Sequence, residues 1–148
     1  MTSGSRQVAV DSAGQRTVAV LVAGYIDVWR RLADAGVPVV AISDTPGTRA
    51  MRTPDCVAAH VEDPNGACAW SSSGGGGSAA LRAAAAEVAE ATYVDMNPWV
   101  CADGICRAVQ RNVVTYRYGS HLTATFAGLL TGRLEEQLVP LVEQAATR

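Results

Sequence analysis

Apolar positions along this chain follow a helical period first and an extended one after it. Val18, Leu21, Val22, Tyr25, Trp29 and Leu32 fall at the i, i+3, i+4, i+7 spacing that gathers side chains on one helical face. Thr17 supplies a side-chain oxygen to cap the start, and Gly36 suits the left-handed residue just past the end. Gly24 inside the helix costs about 1 kcal/mol relative to Ala. Next comes Val37-Pro38-Val39-Val40-Ala41-Ile42, a short continuous apolar run rich in β-branched residues. That pattern predicts a parallel strand buried on both faces. Ser43-Asp44-Thr45-Pro46-Gly47 ends the strand with turn chemistry.

Residues 47–78 show neither period and read as a long irregular stretch. It closes on Ser71-Ser72-Ser73-Gly74-Gly75-Gly76-Gly77-Ser78, a low-complexity segment with the composition of a flexible surface loop. Leu81 to Ala91 is Ala-rich and predicts a second helix, followed by a second strand over Thr92-Tyr93-Val94-Asp95. Val113-Val114-Thr115-Tyr116 predicts a third extended piece. A final helix is expected from about His121, with Ser120 as its cap and Leu122, Phe126, Leu129, Leu130, Leu134 and Leu138 as its apolar stripe. Pro140 should kink or divide it. Residues 1–16 are polar apart from Val8-Ala9-Val10. Alternating helices and strands make the fold class α/β.

Composition narrows the function classes. A length of 148 residues suits one domain, and 49% hydrophobic with 18% charged residues excludes a wholly disordered chain. A net charge of −2 argues against a nucleic-acid partner. No apolar run is long enough for a membrane span, and Met1 to Arg6 lacks the pattern of a signal peptide. Yet the 4 cysteines fall into two close pairs, Cys56/Cys68 and Cys101/Cys106. Close pairs in a small domain suit disulfides and an oxidising compartment. Short loops make neighbour pairing the easiest closure. Buried free thiols and a metal site compete with that reading, although neither pair is a Cys-x-x-Cys and neither His clusters with one. Paired cysteines without a signal segment lead to the expectation that part of the protein lies upstream.

Candidate chemistry concentrates in Tyr116-Arg117-Tyr118-Gly119-Ser120-His121-Leu122-Thr123. A His at a helix start can face a cleft at the carboxyl ends of the strands, and a helix N-terminus disfavours imidazolium, which suits a neutral base. A surface or capping His is the alternative. Asp44 and Asp95 end strands, where α/β folds place functional groups, but both read first as turn residues. His60 reads as exposed and Trp29 as helix core; Trp70 and Trp99 read as loop anchors that could line a sugar platform. No nucleotide-binding Gly motif occurs, and the sequence calls for no cofactor and no metal.

The strand segment Gly36 to Pro46 resembles part of the SGNH-type domains that follow a membrane acyltransferase-3 region in bacterial, particularly actinobacterial, O-acyltransferases. Asp55-Cys56, Ala67-Cys68, Trp99-Val100-Cys101 and Ile105-Cys106 fall where that group places its cysteines. Tyr116-Arg117 followed by Ser120-His121-Leu122-Thr123-Ala124-Thr125-Phe126-Ala127 resembles its last conserved block. The resemblance covers roughly residues 17–148. It implies a flavodoxin-like three-layer α/β/α (GDSL-like) domain, here partial and with a short parallel sheet. Its chemistry would be ester hydrolysis or acyl transfer on cell-envelope carbohydrate esters. A serine after Gly-Asp would be the nucleophile, a His its base, and an Asp three residues before the His the orienting carboxylate.

Carried over by position, His121 matches the base, and Tyr118 stands where the family has Asp. No Gly-Asp-Ser occurs. Val10-Asp11-Ser12 is the nearest approximation, with Val10 in the Gly place, but too little chain separates Ser12 from Gly36 for the elements expected between them. The expectation is therefore a domain in two pieces: residues 1–16 as a truncated polar segment, with Thr2-Ser3-Gly4-Ser5 just after a strand, and residues 17–148 as the C-terminal part. It would act, if at all, as a serine esterase or O-acyltransferase lacking its nucleophile. A non-catalytic carbohydrate-binding or interaction module, or a gene remnant, is the rival reading. Expected partners are an envelope carbohydrate or its acyl ester and, in the parent family, the upstream membrane acyltransferase region. The expected location is extracytoplasmic by resemblance and cysteine pairs, or cytoplasmic if the chain is expressed as it stands.

Overall fold

A computed structural model describes residues 9–47 and 52–147. Val8 and the Thr2-Ser3-Gly4-Ser5 segment lie outside the described residues. The chain opens on a small antiparallel hairpin, β1 (Ala9–Val10) with β2 (Arg16–Thr17). Its turn is organised by Asp11, whose Oδ1 accepts the amides of Ala13 at 2.9 Å and Gln15 at 2.8 Å. Helix α1 (Val18–Asp34) follows at once. Thr17 Oγ1 caps it by accepting the Val20 amide at 3.2 Å, and Gly36 adopts the left-handed φ of 75° beyond its end, as the pattern predicts.

Strand β3 (Val39–Ile42) pairs in parallel with β5 (Ala91–Val94), in register from Val39↔Ala91 to Ile42↔Val94. Between them runs α4 (Ser78–Ala86), so the crossover unit is strand, helix, strand. Alternation sends Val39, Ala41, Ala91 and Tyr93 to one face of the pair, where they pack with Trp29, Ala84 and Val88. The other face leaves Val40 37% and Ile42 40% exposed. The expectation of burial on both faces thus holds for one face only. On that side Val40 and Thr92 line a cleft with Leu141, Val142 and Ala145 from the C-terminal end of the chain, which does not close over them.

The second helix begins and ends earlier than the Ala-rich run suggested, at Ser78 and Ala86 rather than Leu81 and Ala91. Ala91 belongs to β5 because its backbone faces Val39 across the sheet. The stretch read as irregular contains α2 (Thr53–Ala59), α3 (Pro64–Cys68) and β4 (Trp70–Ser71). Both helices are too short to leave a periodic signature, and each starts with a Pro in its first turn.

Residues 97–129 build a second core from small pieces. After α5 (Asn97–Val100), β6 (Ile105–Cys106) pairs with β4, and β7 (Val109–Gln110) with β8 (Val113–Val114). Then β9 (Tyr116–Tyr118) folds back on β10 (His121–Leu122), and α6 (Ala124–Leu129) follows. Val100, Cys101, Cys106, Tyr116 and Phe126 are buried together, with Trp70, Val113, Leu122 and Leu130 against them. The described residues therefore form two apolar cores, one around the parallel pair and one around Tyr116.

The C-terminal helical region departs from expectation in two ways. Thr123, not Ser120, is the N-cap of α6: its Oγ1 accepts the Phe126 amide at 3.2 Å. The expected single helix is also divided at Leu130, where α7 (Thr131–Ala146) begins. Pro140 sits inside α7 without dividing it. No helix among the described residues is long and apolar enough to cross a membrane.

Candidate functional site

Three segments meet beyond the carboxyl ends of β3 and β5. Ser43 Oγ accepts the Met96 amide at 2.9 Å, tying the two strand exits together. Asp44 turns across to the Gly-rich segment: its Oδ2 accepts the Gly77 amide at 2.9 Å, and its carbonyl accepts from Ser78 Oγ and the Gly75 amide, each at 3.2 Å. A carboxylate is thereby held at the start of α4, where the helix field favours a negative charge. Asp44 was expected to cap the turn before Pro46; its partners lie instead in the run read as a flexible loop. That run is pinned on its other side by the Ser72 amide on the Gly104 carbonyl at 2.9 Å. Asp95 does serve its own turn, accepting the Asn97 amide at 3.0 Å, and pairs with Arg82 at 2.6 Å. Arg82 also lies 4.8 Å over the Tyr93 ring, and its guanidinium is held further toward the charged form by Tyr93 and, less so, by Asp95.

The hairpin of β9 and β10 supplies the candidate chemistry. His121 is paired directly with Tyr118, so the two side chains are cross-strand neighbours. Only Gly119 and Ser120 separate them, and Gly119 takes the left-handed φ of 54° that a glycine-first two-residue turn needs. The turn docks on the loop after β3. A Cβ placed on Gly47 would lie 2.6 Å from Ser120 Cβ and 2.7 Å from its Cα, so this approach requires glycine. Tyr118 is 61% exposed and His121 is exposed as well. The pair therefore faces solvent beside the exit of β3.

This geometry corrects the sequence reading of His121. It lies on a strand, with the helix start displaced to Ala124, so no helix dipole acts directly along the imidazole. The backbone just beyond it is fixed by Thr123. The Thr123 amide donates to the Thr115 carbonyl at 3.0 Å, and Oγ1 donates to the Val114 carbonyl at 2.6 Å while accepting from Phe126.

Below the hairpin, Tyr116 is fully buried. Its ring packs 4.9 Å from that of Trp70, and its hydroxyl lies 3.4 Å from Cys101 Sγ. Cys101 is bridged to Cys106, so the phenol is the donor. Burial pushes the Tyr116 phenol well above the usual tyrosine range. Cys56 is bridged to Cys68, which ties α2 to α3, and α2 packs on β8 and β9. Asn65 joins α3 to β7 with a reciprocal pair of bonds to Val109, 2.9 and 3.0 Å. Both cysteine pairs expected from spacing are thus closed in the structure.

The other candidates fall elsewhere. Ser12 is exposed in the β1–β2 turn, and among the described residues no hydrogen bond joins it to the hairpin of His121. His60 is exposed at the end of α2, and Trp29 is buried in the parallel-pair core, both as read from sequence. Trp70 is a strand residue packed on Tyr116, and Trp99 sits in α5; neither is a free loop anchor. Sequence reasoning missed Gly47 and the supporting roles of Tyr116 and Thr123. The first had no local signal, since only the fold brings it to Ser120. The second pair lay within the block already singled out.

Comparison with known proteins gives one family. The model described as an SGNH domain (fused to AT3 domains) matches residues 2–136. No curated protein and no solved structure matches the chain. The match spans the parallel pair, both bridges and the His121 hairpin. On that match, over most of its length, this chain belongs to the family of SGNH domains fused to AT3 domains, a hydrolase/acyltransferase type of domain.

Proposed function

We propose that His121 is the general base of an acyl-transfer site acting on acyl esters of cell-envelope carbohydrates, with Tyr118 beside it in the place of a carboxylate. The observation that carries the reading is the direct pairing of His121 with Tyr118 across a two-residue turn seated on Gly47. A base there could take the proton of a serine hydroxyl as its oxygen attacks an acyl carbonyl, then return it to the leaving alcohol. A phenol can accept a hydrogen bond from imidazole but brings no negative charge to stabilise imidazolium. Neutralising the corresponding Asp in a serine protease lowers turnover by about 10⁴-fold, so this base should be weak. The nucleophile, in this proposal, is none of the serines in this sequence, which contains no Gly-Asp-Ser. The two bridges support an oxidising location outside the cytoplasm, and the family description supports work alongside an AT3 domain.

A fluorophosphonate probe with intact-mass readout tests this on the purified, folded chain. The expected result is no labelling and no ester turnover. Labelling at Ser12, abolished by Ser12→Ala and by His121→Ala, would overturn the assignment of the nucleophile to another segment. The exposed Tyr118 ring favours one second reading, a carbohydrate-facing surface without turnover. Saturable glycan binding that Tyr118→Ala removes, with no chemistry in the presence of a Gly-Asp-Ser segment, would select it.

A further inference from the structure

The His121 hairpin is short: β9 has 3 residues and β10 has 2. A hairpin of that size does not hold itself together in water. Besides the Thr123 bonds to the Val114 and Thr115 carbonyls and the seat of Ser120 on Gly47, two supports depend on cysteines. From below, Tyr116 is buried among Val100, Phe126 and the bridged pair Cys101/Cys106, with its hydroxyl on Cys101 Sγ. From the side, α2 packs on β8 and β9. That helix has 7 residues and its neighbour α3 has 5, both far below the length at which an isolated helix is stable. What fastens them to each other is Cys56–Cys68. The core around the parallel pair, with Trp29, Ala41, Ala84 and Val88, contains no cysteine.

We infer that the two disulfides act as a redox switch on the candidate site: the half carrying His121 is ordered only while they are closed, and the half carrying β3 and β5 folds without them. This deepens the reading of His121 as a base, on which its meaning for function rests. Opening each bridge takes two electrons and two protons. A dithiol supplies both, is itself oxidised to a cyclic disulfide, and leaves two protein thiols. Access sets the order. Cys68 and Cys106 are 0% exposed and Cys101 is 6% exposed, whereas Cys56 is only half-buried. Thiolate attack therefore enters at Cys56. Loss of Cys56–Cys68 frees α2 from α3 and loosens the hairpin, after which Cys101–Cys106 becomes reachable.

The test is dithiothreitol treatment of the folded chain, followed by timed alkylation mapping and residue-level amide exchange. Cys56 and Cys68 are expected to alkylate first. Amides of Tyr116 to Leu122 should then lose protection by about 100-fold or more, while those of α1 and α4 keep theirs. Hairpin protection that survives reduction of both bridges would overturn the inference. So would loss of α1 and α4 in the same step, which would make the molecule one cooperative unit. If the folded chain resists the dithiol, Cys56→Ser/Cys68→Ser gives the opened bridge directly. A protected hairpin in that variant, or its failure to fold anywhere, overturns the inference equally. Exchange reads no turnover, so failure of this switch leaves the role of His121 standing, and failure of that role leaves the exchange result standing.

Discussion

Tyr116 shows how one buried side chain links stability to pH. Its phenol donates to Cys101 Sγ, is shielded from water, and is pushed above the ordinary tyrosine value of about 10. The protonated form is neutral, so the folded state favours it more than the unfolded state does. The stabilisation is complete below pH of about 10 and falls as pH rises above it, because only the unfolded chain then releases the proton. Urea unfolding at pH 8 and pH 11 should show this as a loss of up to about 1.4 kcal/mol per pH unit for this group. Tyr116→Phe should cost about 1 kcal/mol at pH 8 and flatten the alkaline decline. An equally steep decline in the variant would assign it to other groups. The Tyr116 position was legible in the sequence as part of an apolar stretch. Its contact with Cys101 was not, because 15 residues of chain separate them.

Among elements, the junction between strand and helix after His121 is the most densely bonded. Thr123 follows β10, caps α6 and ties both to Val114 at the end of β8 and to Thr115 just after it. Thr123→Val keeps the shape and removes the hydroxyl. It strands the Val114 carbonyl and the Phe126 amide, so the expected cost is about 1–2 kcal/mol in urea unfolding, while Thr123→Ser should retain most of the stability. A larger loss in Thr123→Ser than in Thr123→Val would place the effect in methyl packing. Element types were predictable where periodicity ran long: α1 with its Thr17 cap, β3 and β5. Boundaries failed where tertiary pairing outranked local preference. Ala91 has a helix-forming side chain but pairs with Val39, and His121 was expected to open a helix but pairs with Tyr118.

At the scale of the molecule, the sheet is the incomplete part. Among the described residues the parallel pair has no third strand, and Val40 and Ile42 stand 37% and 40% exposed on the face where Leu141 and Val142 of α7 line a cleft with Val40. Unpaired edges beside apolar surface favour association. Ile42→Thr should cost less than about 1.5 kcal/mol in stability, because the side chain is already partly in water. It should also lower light scattering at high protein concentration. Unchanged scattering with a large loss of stability would mean that this face is covered in solution. The same architecture separates the two cores, and the separation bears on the site. The loop after β3 belongs to one half and the His121 hairpin to the other, and Gly47 against Ser120 is where they touch.

Local sequence was enough to predict the α/β class, the long helix, the two parallel strands, neighbour pairing as the favoured state of the cysteines, and the family. Each of these is written in local spacing: a 3.6 period, a β-branched run, short Cys–Cys intervals, and a block ending in His-Leu-Thr. It took the folded chain to place His121 against Tyr118 on a hairpin, Asp44 on the Gly-rich segment, and Gly47 under the turn. Those contacts join residues far apart in the chain. Local propensity carries no information about which distant backbone groups remain to be satisfied once the strands have paired.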